Sequence, residues 1–298
     1  MAPREESRPL YTVIIVYGGR DFFMVLQIPK KFFNNKREIE MLNKIFKTLK
    51  HEARKGSGRS PEECVEILRN IIPRCGPFSQ GIKVCREIGL WLLRGNREII
   101  VPVCPDYSHH EGKYDFRTLN GGVPLLAELH VLFLKEIVAS IGSPLVTLLV
   151  ADHEADDPLL CKVVGKSRAE FVSLIQSSVV ELRKAVRDLG WKAEMMTTVI
   201  PTLVEQEASC AEWIRNDPSF EQRTKGDTVQ RSEMYLQLNS AMKANEMLER
   251  TIRTSAQYVA LGRHAKEKGM LVCNHTTTNL VWYLQAGAAV LHNPVSVY

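Results

Sequence analysis

A thiol, a hydroxyl and several proton-transferring side chains follow one another where a short apolar run ends. The run at residues 98–104 is rich in β-branched side chains, which predicts a strand buried on both faces. Cys104 or Ser108 could accept an acyl group there, with neighbouring Asp, Tyr or His side chains moving protons. A cysteine simply buried at the end of a strand is the alternative. Asp106 and Tyr107 of this segment are expected to contact the substrate, and His109 and His110 follow them.

Four carboxylates lie within six residues after the next predicted strand, at residues 145–151. Carboxylates this close together repel one another, so they commonly need a metal ion or a cationic substrate nearby. Carboxylate oxygens suit Mg²⁺ or Ca²⁺, and they also bind a guanidinium through paired hydrogen bonds. The spacing does not match an EF-hand loop, so no residue is assigned as a metal ligand, and a solvated acidic loop is the alternative. The expected substrate-binding residues are Asp152, Glu154, Asp156 and Asp157.

A third polar cluster follows the strand predicted at residues 270–274. An Asn-His-Thr sequence that leads into a helix can bind an anion or orient a base. Tyr258, on the helix predicted before this strand, can face the same cleft. The alternatives are a loop histidine with satisfied hydrogen bonds and a core tyrosine with its hydroxyl bonded to the backbone. We expect catalytic roles for Tyr258 and His275, and substrate contacts from Asn274, Trp282 and Tyr283.

The elements that must position these clusters alternate between strands and helices. Strands are predicted at residues 98–104, 145–151, 195–199 and 270–274, and helices at 123–141, 167–190, 203–216, 229–268 and 276–285. Buried strands joined through helices predict an α/β fold, a Rossmann-like parallel sheet flanked by helices. Ligands bind beyond the carboxyl ends of the strands in such sheets, which is where all three polar clusters lie. We therefore predict a catalytic domain over residues 97–298.

Residues 1–96 are predicted to form a basic hairpin-helix region packed on that domain. Two β-rich runs within residues 10–28 are split by Gly18 and Gly19, which indicates a hairpin. Residues 36–55 place apolar side chains at helical spacing and lysines elsewhere, which is typical of an amphipathic helix. A further helix is predicted to start at Ser60, which precedes a proline.

The net charge of +5 is unevenly distributed along the chain. Residues 1–97 carry 19 lysines and arginines against 10 acidic residues, whereas residues 98–161 carry 3 against 10. A basic region beside an acidic centre suits a polyanionic partner on one surface and a cationic group in a cleft. Ordinary solvated helix faces are the alternative.

Several classes of protein are disfavoured by motifs that the chain lacks. It has no G-x-G-x-x-G after a strand and no G-x(4)-G-K-[ST], which disfavours nicotinamide and nucleoside-triphosphate chemistry. No apolar run approaches the roughly 20 residues of a membrane span, and the start lacks the apolar core of a signal peptide. We therefore expect a cytoplasmic protein without membrane contact. The seven cysteines form no C-x-x-C pair, which predicts free thiols rather than a structural zinc site.

The order of these elements resembles that of tRNA-dependent cyclodipeptide synthases. Those enzymes are similar to the catalytic domain of class I aminoacyl-tRNA synthetases but use no ATP, because aminoacyl-tRNAs arrive already activated. In the family, the first strand ends in a serine nucleophile, and a helix, a strand ending in Asp and a long basic helix follow. Residues 99–104, 146–152 and 167–190 reproduce that order. The resemblance covers residues 97–298 and implies the same fold, with no cofactor.

Two departures from the family pattern concern the nucleophile and the late helix. Cys104 stands where the family has serine, with Ser108 as the second candidate. The family's Tyr-x-x-x-Glu is Tyr258-Val-Ala-Leu-Gly262 here, without the glutamate. The aromatic pair Trp282-Tyr283 is similar to the family's closing elements.

The resemblance implies that two aminoacyl-tRNAs are joined into a cyclic dipeptide of secondary metabolism by ping-pong acyl transfer. The fungal arginine-type synthases are the most similar branch, because the acidic residues 152–157 would pair with a guanidinium. Arginyl-tRNA is then a candidate partner. Basic side chains that would contact tRNA phosphates are Lys44, Lys47, Lys50, Arg54, Lys55, Arg183, Lys184 and Arg187.

Two other functions stay open. Isonitrile synthases of the pyoverdine and dityrosine type are similar in the segments Gly122-Val-Pro-Leu-Leu-Ala-Glu128 and Val150-Ala-Asp152. Those enzymes act on a free amino acid, so they need no RNA and no basic surface. A non-catalytic RNA-binding protein would have the basic surface without a nucleophile, and the acidic loop argues against it.

Overall fold

The computed structural model describes most of the chain between residues 11 and 294. The described ranges are 11–17, 20–26, 36–53, 58–105, 108–110, 113–115, 121–142, 144–158, 161, 165–217, 244–275 and 277–294. Four of the predicted ligand contacts, Asp106, Tyr107, Arg54 and Lys55, lie outside these ranges.

The first described elements are a hairpin and three helices. Strands β1 (Tyr11–Tyr17) and β2 (Arg20–Leu26) pair antiparallel, which confirms the hairpin. Helices α1 (Lys36–Glu52), α2 (Pro61–Ile71) and α3 (Ile82–Leu93) follow.

The remaining elements alternate between strands and helices. In chain order they are β3 (Glu98–Val103), β4 (Ser108–His110), β5 (Lys113–Asp115), α4 (Leu125–Ile141), β6 (Leu145–Val150), α5 (Arg168–Val186), β7 (Lys192–Met195), α6 (Met196–Val199), α7 (Leu203–Arg215), α8 (Ala244–Lys268), β8 (Leu271–Asn274), α9 (Thr277–Gln285) and β9 (Ala289–His292).

Five of these strands form one parallel sheet in the order β7-β6-β3-β8-β9. β3 is central, the next two strands of the sheet lie on one side of it, and the last two lie on the other. Helices flank the sheet, so the predicted Rossmann-like α/β fold is confirmed. Among the helices in the described part of the chain, none is both long enough and apolar enough to span a membrane.

Two helices begin where the sequence places an N-terminal cap. Ser60 and Glu63 at α2, and Ser167 and Glu170 at α5, form capping boxes in which each serine hydroxyl accepts from the backbone N–H three residues on. The glutamate carboxylate accepts in return from the serine N–H. These starts depend on residues within one helical turn, which is why sequence alone predicts them.

The strand predicted at residues 195–199 was misplaced. The strand ends at Met195, and a single helical turn, α6, takes up the next four residues. The carboxylate of Asp152 accepts hydrogen bonds from the Thr197 N–H, at 2.9 Å, and from the Thr197 hydroxyl. Asp152, which follows β6, thus accepts from a backbone N–H in the first turn of α6 that has no partner within the helix.

Helices α1 to α3 share one hydrophobic core with the sheet. Leu49 of α1 and Leu92 of α3 are fully buried in the same cluster as Ile99 and Val101 of β3. Arg59, which precedes α2, connects this region to α4, because its guanidinium donates to the backbone oxygen of Ile141 at 2.5 Å.

Candidate active site

The order of the sheet reverses beside its central strand. β6 and β7 lie on one side of β3, whereas β8 and β9 lie on the other. In open parallel sheets, a crevice forms outside the carboxyl ends of the strands at such a point, and ligands bind there. By this rule, the ligand crevice of this protein is expected between the ends of β3 and β8.

Cys104 follows β3 directly at this edge. The strands are in parallel register, with Val103 opposite Val150 and Ile100 opposite Val272. Cys104 is partly buried. Ser108 lies further on, at the start of the small hairpin formed by β4 and β5. The choice between the two as nucleophile stays a prediction.

The acidic turn after β6 has partners within the protein. Asp152 accepts from Thr197, as described above, and Asp156 accepts from the Arg168 guanidinium at 2.5 Å. Glu154 is 3.9 Å from the imidazole of His153, and its side chain is 18% exposed. Two of the four predicted carboxylates therefore already lie against hydrogen-bond donors, and Glu154 lies near an imidazole.

A metal at this turn has no support in the described part of the chain, where no three His, Cys, Asp or Glu side chains are grouped to hold an ion. All seven cysteines are described and none is in a disulfide.

The end of β8 is held by its neighbours. Asn274 is buried, and its side-chain oxygen accepts from the His275 N–H at 2.7 Å. The backbone oxygen of His275 accepts from the imidazole Nε2–H of His292 at 2.9 Å. The Asn293 N–H donates to the Asn274 backbone oxygen at 2.9 Å. His275 therefore has both of its backbone polar groups engaged at the edge of the crevice.

A histidine that the sequence did not single out lies next to His275. His130, on α4, is 1% exposed, and its ring lies edge-on to that of His275, with 5.6 Å between centroids. The side-chain amide of Asn293 donates to His130 Nδ1 at 3.0 Å. Because Nδ1 accepts, the proton of the neutral ring is on Nε2. Within the described residues, this buried Nε2 has no hydrogen-bond partner.

Three neighbouring histidines are neutral at pH 7. Burial lowers the pKa of His130 well below its usual value, and the His275 ring lowers it further. Burial, and secondarily His292, lowers the pKa of His275 to about 4. Burial also lowers the pKa of His292. Part of His275 reaches the surface, but protein atoms enclose most of the residue, and this burial is the main cause of its lowered pKa.

The three predicted aromatic residues differ in exposure. Tyr258 on α8 is partly exposed, and its ring lies edge-on to that of Tyr283, with 5.6 Å between centroids. Trp282 and Tyr283 are almost completely buried in the core. Burial, with Tyr258 as a second cause, raises the pKa of Tyr283, so its phenol stays protonated. Tyr258 is therefore the aromatic of this group with surface left for a ligand.

The predicted tRNA contacts lie on two separate surfaces. Lys44, Lys47 and Lys50 are exposed on α1, which packs on α3, and α3 packs on β9 at one edge of the sheet. The other group is on and just after α5, which packs on β7 at the opposite edge. Its members are Arg183, Lys184 and Arg187.

Two side chains of the second group are already paired. Arg183 binds Glu194 and the backbone oxygen of Ala193, and Lys184 lies 2.7 Å from Glu181. These pairs reduce the positive charge at that edge.

His130, His292 and Asn293 are the residues that sequence reasoning missed. A signal was present, since Asn274-His275 and His292-Asn293 end two strands that pair directly. No strand is predicted at residues 289–292, so sequence alone does not bring the two dipeptides together. His130 gave a weaker signal, as one histidine on the apolar α4.

The chain matches no family model, and no curated protein sequence matches it. Its function is therefore inferred from the residues of the crevice and their geometry.

Proposed function

We propose that this protein is an aminoacyltransferase of the cyclodipeptide synthase kind, which joins the aminoacyl groups of two aminoacyl-tRNAs into a cyclic dipeptide. The observation that carries the proposal is the place of Cys104. It stands at the carboxyl end of the central strand, where the sheet order reverses, with the polar end of β8 as its neighbour. A nucleophile at this position would lie at the expected ligand crevice and beside His275 as a potential base.

The first step transfers an acyl group to the enzyme. The sulfur of Cys104 attacks the ester carbonyl of one aminoacyl-tRNA, the C–S bond forms, and the bond to the terminal ribose oxygen breaks. The thiol proton passes to the leaving ribose oxygen. The His275 ring, at the end of the neighbouring strand β8, is neutral and would relay this proton.

The second step releases the thiol. The amine of the second aminoacyl-tRNA attacks the thioester, so that a C–N bond forms and the C–S bond breaks. The amine of the resulting dipeptidyl ester then attacks its own ester carbonyl, which closes the ring and frees the second tRNA. Each step exchanges one acyl bond for another, so no ATP and no redox partner are required.

A cationic first residue, arginine above all, is supported by the acidic turn after β6. The carboxylates of this turn would be the contacts for its guanidinium. The exposed lysines of α1 support contact with tRNA phosphates, and such contacts predict binding that weakens steeply with added salt.

The test is mass spectrometry of extracts from a heterologous host, together with an in vitro reaction on charged tRNA. Formation of cyclic dipeptides in vitro that stops when the charged tRNA is treated with RNase supports the proposal. Cys104→Ala is expected to abolish the product, while Cys104→Ser retains a nucleophilic oxygen and a measurable rate. Unchanged product from both variants, with loss in Ser108→Ala, would move the nucleophile to Ser108.

A second candidate, an isonitrile synthase acting on a free amino acid, is favoured by one observation. Arg183 and Lys184 on α5 are paired with glutamates rather than left for phosphates. RNase-resistant conversion of a free amino acid would support this candidate and contradict the first. Tight RNA binding without either product would indicate a non-catalytic RNA-binding protein.

A further inference from the structure

His292 joins the end of β9 to the site residue on β8. Its Nε2–H donates to the His275 backbone oxygen at 2.9 Å. The Asn274 side chain fixes the N–H of the same residue at 2.7 Å. A residue that follows the last position of a strand lacks ladder hydrogen bonds, so these side chains take the place of a neighbouring strand. They determine the direction in which the His275 ring leaves the sheet.

His292 is in turn held by the segment between α2 and α3. Its N–H donates to the Ser79 hydroxyl at 2.6 Å, and its backbone oxygen accepts from the Gly76 N–H at 2.8 Å. Ser79 is completely buried, and its own backbone oxygen accepts from the Cys85 thiol at 2.9 Å.

The imidazole of His292 packs directly against the backbone of Gly76. A Cβ atom at this position would lie 2.3 Å from Nδ1 of His292 and 2.6 Å from two of its ring carbons. That spacing is far below van der Waals contact, so any side chain there would displace the ring. Glycine is required here by close approach.

We infer that His292 is a positioning residue for the site, which holds the His275 backbone at the crevice and is itself held by Gly76 and Ser79. This gives the segment before α3, in the N-terminal part of the chain, a role in the site at the end of β8. The geometric part of the inference stands alone, whereas its effect on turnover rests on the proposed function.

The hydrogen bond to His275 can be observed without any activity. The His275-Thr276 pair is the one His-Thr dipeptide in the sequence. Labelling histidine with ¹³C at the carbonyl and threonine with ¹⁵N therefore gives a single carbonyl-amide correlation, which reports on the His275 oxygen. His292→Leu removes the donor and should shift this carbonyl resonance to lower frequency. His292→Gln, whose amide can take the place of Nε2–H, should stay close to the unmodified protein.

Gly76→Ala should shift the resonance in the same direction as His292→Leu, since the new methyl group displaces the ring. Ser178→Ala is the matched control, because Ser178 is also completely buried and donates to the Leu174 backbone oxygen at 3.0 Å, within α5. It should leave the His275 resonance unchanged. An unshifted resonance in both His292→Leu and Gly76→Ala would overturn the inference.

Kinetics on aminoacyl-tRNA then separate the two proposals. Misplacing a reacting group by about 1 Å can lower a rate by roughly 100-fold, so His292→Leu should lower kcat by about 10- to 100-fold with little change in KM. His292→Gln should restore most of the rate. Equal losses in the Leu and Gln variants would overturn the positioning role. A wild-type protein that transfers no aminoacyl group would overturn the proposed function, while the carbonyl resonance would still decide the hydrogen bond.

Discussion

Acidification should destabilise this protein well above the pH at which carboxylates begin to protonate. The neutral ring of His275 is enclosed by protein and lies beside the ring of His130, and burial lowers the pKa values of His275, His130 and His292 alike. The unfolded chain offers no such environment, so its histidines bind protons near the usual pKa of 6.5. Between the two pKa values the unfolded state binds more protons than the folded state, and stability therefore falls as the pH falls.

The magnitude follows from His275 alone. Its pKa is about 4 in the folded protein against an ordinary value of 6.5. The contribution of His275 is complete above pH 6.5 and declines through the interval down to pH 4. By linkage, this amounts to about 2 kcal/mol lost at pH 5 and about 3 kcal/mol lost well below pH 4. Protonation of His130 and His292 adds to the loss in the same direction.

The assay is urea unfolding followed by tryptophan fluorescence at pH 8, 7, 6 and 5. His275→Gln should be less sensitive to pH, with a decline between pH 8 and pH 5 that is smaller by about 2 kcal/mol. His51→Gln is the matched control, since His51 is exposed near the end of α1, and it should behave like the unmodified protein. A free energy of unfolding that is constant from pH 7 to pH 5 would refute the reasoning. An identical decline in His275→Gln would show that other groups are responsible.

Substitutions at Asp152 and Gly58 test two further contacts that hold the fold, and Asp156 provides the comparison for the first. Asp152→Asn should lower the free energy of unfolding by about 1–3 kcal/mol, because it removes the charge and replaces one of the two oxygens that accept from Thr197 by an amide nitrogen. Asp156→Asn, at an exposed carboxylate, should lower it by less than about 1 kcal/mol. An equal effect of the two substitutions in urea unfolding would contradict this account. Gly58→Ala should destabilise the protein more, because a Cβ atom at Gly58 would lie 2.3 Å from the Cα atom of Gly95. A melting temperature equal to that of the unmodified protein would show that the two backbone segments can move apart freely.

The sequence by itself determined the local elements and the sheet edge where chemistry is expected. The capping box at Ser167, the apolar run before Cys104 and the polar residues after β8 are all signals carried by a few adjacent residues. They predict structure because their causes act within one turn of helix or one strand. The parallel sheet followed from the alternation of such elements, and with it the place of Cys104 and Asn274 at one edge.

Only the tertiary structure decided what surrounds His275. The contact of His130 with Asn293 joins residues 163 positions apart, and that of His292 with Ser79 joins residues 213 apart. No local pattern encodes such pairs, because they depend on which strands become neighbours. The end of β7 was misplaced for the same reason, since the cap on α6 comes from Asp152, 45 residues earlier. Sequence could name the strand ends, but the order of the strands determined which of them meet.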